Sequence, residues 1–63
     1  MTPQLIEIVK YIERNPGRTS SDISQRFELI QLDARNKLAY LCSMKYLKSE
    51  KQGGVYYFYS NIN

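Results

Sequence analysis

Near the N-terminus the apolar residues recur as Leu5, Ile8, Val9 and Ile12, a spacing that lines one side of an α-helix, while Glu7, Lys10, Glu13 and Arg14 fall mostly elsewhere. Thr2 ahead of Pro3 suits an N-cap followed by a first helical residue whose missing N–H costs nothing, so a helix is expected over Pro3–Arg14. Asn15-Pro16-Gly17 stops it, because the residue before proline avoids the helical region and glycine accepts the left-handed one. Thr19 then serves as a second N-cap, with the Asp22 carboxylate placed to reach back to free N–H groups. Ile23 and Phe27, four apart, supply the buried side of a short helix over residues 20–27. Arg18 and Thr19 are expected to add a brief third extended segment to a later sheet.

After a break at Glu28-Leu29-Ile30, Ala34, Leu38, Leu41 and Cys42 fall on one side of a longer helix over residues 31–45. Its other side holds Leu32, Asp33, Asn36, Ala39, Tyr40 and Ser43, small and polar on the whole, with Arg35 and Lys37 on the flanks. From Tyr46 the pattern changes. Residues 47–50 and 55–59 favour strands, and the Gly53-Gly54 pair at the end of Lys51-Gln52-Gly53-Gly54 marks a hairpin turn between them. On the second strand Val55, Tyr57 and Tyr59 share one face and Tyr56 and Phe58 the other, so both faces are expected to be covered at least in part. The expected fold class is mainly α with a small β-hairpin.

Composition narrows the chemistry. At 63 residues and 7.4 kDa the chain holds one domain, residues 1–63, and a domain of this size buries only about 60% of its unfolded surface. Cys42 is the lone cysteine and histidine is absent, which removes an internal disulfide, the usual zinc ligand sets, hydrolase triads and an imidazole base. An enzyme is not expected, nor is a cofactor. No glycine-rich phosphate loop is present, and no apolar run approaches the roughly 20 residues of a membrane span. A cytoplasmic protein without a membrane or small-molecule substrate is the expectation. The net charge is +3 and unevenly spread: up to Ile30 four cations balance four carboxylates, whereas from Gln31 onward five cations face two. A basic half joined to a neutral half is the footprint of a polyanion binder.

Three helices followed by a two-stranded hairpin, in this length, resemble the winged helix-turn-helix domain of bacterial, archaeal and phage transcription regulators. The resemblance runs through Asn15-Pro16-Gly17-Arg18-Thr19-Ser20, Asp22-Ile23-Ser24-Gln25-Arg26-Phe27, Leu38-Ala39-Tyr40-Leu41, Lys45-Tyr46-Leu47 and Val55-Tyr56-Tyr57-Phe58-Tyr59, and so covers nearly the whole chain. Two departures stand out. Ile30 occupies the place of the usual Ser or Thr cap, leaving that cap missing or displaced to Asp33, and Glu28 occupies a turn position that is often glycine.

The resemblance implies sequence-specific binding of double-stranded DNA by a small transcriptional regulator, with the third helix in the major groove and the hairpin as a wing. It implies base contact by Gln31, Asp33, Asn36 and Tyr40, with Arg35 on a guanine or a phosphate, and a phosphate held by Thr19, Ser20 and Ser21. Lys37, Lys48, Lys51 and Gln52 are the implied backbone contacts. Two half-sites would call for a homodimer, joined through the aromatic wing strand or through the first helix around Tyr11. The alternative within the same fold is a protein–protein interaction module that does not touch DNA.

Overall fold

The computed structural model describes residues 1–61. It holds α1 (Pro3–Arg14), α2 (Ser20–Arg26), α3 (Gln31–Ser43), β1 (Leu47–Gln52) and β2 (Val55–Ser60), a winged-helix-like layout. No helix among the described residues is long and apolar enough to cross a membrane.

Local signals account for most of the boundaries. The Leu5 N–H donates to the Thr2 hydroxyl at 3.4 Å, with Pro3 opening α1. Ahead of α2, Thr19 and Asp22 form a reciprocal capping box: the Asp22 N–H donates to the Thr19 hydroxyl at 3.1 Å, and the Thr19 N–H to the Asp22 carboxylate at 3.0 Å. Such a cap stabilises by about 1 kcal/mol. The hairpin turn is tighter than expected, only Gly53-Gly54, because both glycines take positive φ (56° and 79°) and match the twist of the flanking strands. Both strands accordingly run longer than residues 47–50 and 55–59, and Lys51 and Gln52 lie within the ladder, opposite Tyr56 and Val55.

Two helices end earlier than periodicity suggests, for one shared reason. Glu28 and Lys45 adopt left-handed backbone, with φ of 55° and 67°. At the end of α3 the Lys45 N–H donates to the Cys42 carbonyl and the Tyr46 N–H to the Leu41 carbonyl, each at 3.0 Å, the paired closure of a Schellman motif. At the end of α2 the Leu29 N–H reaches back to the Ser24 carbonyl at 2.9 Å, while the Ser24 hydroxyl donates to the Leu29 carbonyl at 2.6 Å. Phe27 and Met44 are therefore C-caps, and α3 stops at Ser43 rather than Lys45. Left-handed backbone costs a side-chain-bearing residue about 1–2 kcal/mol. Glu28→Gly is expected to stabilise the chain by about 0.5–1 kcal/mol after the extra freedom of the unfolded glycine chain is subtracted. Thermal denaturation followed by circular dichroism should show the melting temperature rise by a few degrees; a fall would mean that the Glu28 side chain holds the turn.

The core gathers Ile8, Val9 and Ile12 of α1, Ile23 of α2, Ala34, Leu38 and Leu41 of α3 and Leu47 of β1, with Leu5, Tyr11, Phe27, Leu29, Cys42 and Phe58 packed around them. Each fully buried Leu or Ile contributes about 1.5–3 kcal/mol of burial free energy. The third extended segment near Arg18 is a single antiparallel bridge, in which the Phe58 N–H donates to the Arg18 carbonyl at 2.8 Å and the Gly17 N–H to the Phe58 carbonyl at 2.9 Å. It ties the α1–α2 connection to the free edge of β2. The Asn61 amide closes the other end on the Lys45 carbonyl at 3.0 Å. Tyr11 is engaged within the chain: its ring meets Phe27 edge-on at 5.8 Å, and the Arg26 guanidinium lies 5.4 Å from its centre.

Candidate nucleic-acid interface

Burying Ala34, Leu38 and Leu41 turns the opposite side of α3 to solvent. At 100° per residue that side consists of Leu32, Asn36, Ala39 and Ser43, bordered by Tyr40, and all five are exposed. With 13 residues α3 presents this line over about 20 Å. It is less polar than its composition suggests, since Leu32 is 64% exposed and Ile30, just ahead of the helix, 73%. Helical angle alone places Leu32 on this outward side, whereas nothing local marks Ile30, which stands where a cap is expected, as bare.

One flank of α3 faces the hairpin across an open groove of about 500 Å³. Gln31, Arg35, Ala39 and Cys42 form one wall, Ser49, Tyr56 and Phe58 the other, and Thr19, Ser20 and Ser21 close the end. No carboxylate lines it. Arg35 is exposed, and among the described residues no hydrogen bond or ion pair engages it. On the opposite wall Tyr56 pairs across the ladder with Lys51, whose ammonium lies 5.6 Å from the tyrosine ring centre. Paired residues share a sheet face, so Lys51 stands on the groove side. Tyr56 is a groove residue that the sequence reading placed on a face without giving it a role. Partial burial raises the Cys42 thiol above its ordinary pKa.

The expected contact residues divide into three groups. Thr19, Ser20, Ser21, Gln31 and Arg35 meet in the groove, with Lys51 at its margin. Two of these have partners already: Gln31 donates to the Ser20 hydroxyl at 2.7 Å, and the Thr19 hydroxyl accepts the capping bond. The Asp22 carboxylate also brings negative charge to the start of α2, against the phosphate expected there. Asn36, Lys37 and Tyr40 belong to the other flank, beside Thr2 and Leu5 of the α1 end, around a shallow depression of about 340 Å³.

Asp33 is neither a cap nor a free base-reading group. Ile30 takes the N-cap position of α3 without any side-chain hydrogen bond, and the Asp33 carboxylate instead accepts from the Lys37 ammonium at 2.8 Å. With the acid four residues ahead of the base, this pair stabilises the helix by about 0.3–0.5 kcal/mol and cancels both charges on the face they occupy. Lys48, finally, pairs with Tyr59 on the sheet face opposite Tyr56 and Phe58, away from the groove, while Gln52 pairs with Val55, which borders the groove at the turn.

Set beside protein-family models, curated proteins and solved structures, the chain matches none.

Proposed function

We propose that this chain binds double-stranded DNA as a small transcriptional regulator, α3 entering the major groove and the β1–β2 hairpin lying along the adjoining backbone. One observation carries the reading. Arg35 from α3 lines an open groove that no carboxylate lines, and Lys51 from β1, far away in sequence, stands on the sheet face that walls it, beside Tyr56. A phosphodiester strand supplies the complementary charge. Beside the groove, α3 turns out an uncharged line in which the Asn36 amide has no hydrogen bond among the described residues and stands free for a base edge.

A second reading, docking on another protein, draws on a different surface. Tyr40, 46% exposed, borders the depression at Leu5 of α1, and Met44, the C-cap of α3, is 51% exposed. Apolar exposure of that kind suits a protein partner.

Amide chemical-shift mapping with a duplex of about 20 base pairs at roughly 50 mM salt separates the two. On the DNA reading, shifts gather on Gln31, Arg35, Asn36, Ser49, Lys51 and Tyr56, and Arg35→Ala weakens binding by about 1–3 kcal/mol if the guanidinium is on a guanine. No shifts with any duplex at that salt would overturn the proposal in favour of docking.

A further inference from the structure

From the bare apolar tip of α3 we infer that the chain reads A·T base pairs, Leu32 packing on the thymine methyl while Asn36 bonds the adenine; this rests on the DNA-binding reading above. Ile30 and Leu32 are the two most exposed large apolar side chains among the described residues, and they sit together at the start of α3. Leu32 and Asn36 are four apart on one helix, so their Cβ atoms are about 5–6 Å from each other on the same face. That separation is of the order of one to two base-pair steps of about 3.4 Å, so both side chains address one pair or two adjoining ones.

The donor set on this face decides which pair fits. In the major groove an A·T pair offers the adenine N7 and N6 to a bidentate amide, and a methyl group on the thymine. A G·C pair carries no methyl, and its guanine edge suits an arginine rather than an amide. A carboxylate would favour the cytosine amino group, and the one carboxylate near this face, Asp33, is held by Lys37 at 2.8 Å. What remains outward on this face is an amide with no hydrogen bond among the described residues and a branched hydrocarbon left 64% exposed. The occupant is DNA rather than an apolar protein surface because the stretch from Gln31 onward, which carries this tip, holds five cations against two carboxylates.

The test uses the full chain. A random duplex pool of about 20 base pairs is enriched on the protein at roughly 50 mM salt, and the recovered sequence is synthesised with each thymine in turn replaced by deoxyuridine, which lacks only the methyl. Fluorescence anisotropy should show about a fourfold weaker complex at one or two positions, the effect of one unburied methyl. Leu32→Ala should bind the thymine and uracil duplexes equally, and Asn36→Ala should lose its preference for adenine at the paired or neighbouring position.

Equal affinity of the unmodified chain for thymine and uracil at every position overturns the inference while leaving DNA binding intact. So does a recovered sequence without A·T pairs. If Leu32→Ala dissociates a dimer of the free chain and leaves the thymine-to-uracil ratio unchanged, a second copy covers the tip and the inference fails. Absence of any enrichment sinks the DNA-binding reading itself. The uracil comparison is made on the unmodified chain, so it holds whatever the variants do.

Discussion

Leu38→Ala should remove a large share of the chain's folding stability. Leu38 is fully buried at the middle of α3, within the cluster that joins all three helices to β1. Truncating a buried leucine costs about 2–5 kcal/mol, the sum of lost burial and the cavity left behind. A 63-residue chain has little to set against that, since stabilities of about 0.05–0.15 kcal/mol per residue give roughly 3–9 kcal/mol in all. Cys42 is the lone cysteine, so no internal disulfide holds the remainder in place. Urea denaturation followed by far-ultraviolet circular dichroism should show the midpoint fall by about 2 M or more. Leu32→Ala, on the opposite side of the same helix, should leave the stability within about 0.5 kcal/mol of the parent. The contrast tests the rotation of α3 directly. If the exposed leucine proves the costlier one, α3 is turned about its axis and the proposed reading face is buried.

DNA affinity should fall about 40- to 500-fold between roughly 50 and 200 mM salt, as expected when three to five phosphates are neutralised and counterions released. The cations that matter are those free of carboxylates. Lys37 is compensated by Asp33, whereas no ion pair among the described residues engages Arg35, Lys45, Lys48 or Lys51. Replacing Arg35 and Lys51 together with alanine should therefore flatten the log–log slope by about two units, one per lost phosphate contact. Both side chains are exposed, so the fold should persist and the change should be electrostatic in origin. A slope near zero for the unmodified chain, or an unchanged slope in the double variant, would take the groove out of the interface.

Much of the fold was legible because its signals are local. Thr2 with Pro3, Thr19 with Asp22, and Gly53-Gly54 act on their own neighbours, and all three behave as expected. The helix ends at Glu28 and Lys45 were not legible, because neither residue type advertises left-handed backbone. The tertiary pull of Leu29 and of the chain entering Leu47, both packed into the core, offsets that cost. The Asp33–Lys37 pair lies in the spacing, four apart on a helix, whereas the family resemblance assigns the two residues separate contacts. Alternation along a strand sets Lys48 and Gln52 on the face opposite Lys51, but it applies to Lys51 and Gln52 only because the two-residue turn leaves both of them within β1.

By itself the sequence determined which sides of the helices turn inward, where the turns fall and which half of the chain holds the positive charge, since each follows from residue type and period. Only the tertiary structure decided which polar groups remain free. Gln31 meets Ser20, and Arg35 stands across a groove from Tyr56, because packing α2 and the hairpin against α3 brings together residues distant along the chain. A hydrogen bond or an open face depends on that juxtaposition, and no periodicity within a single element records it.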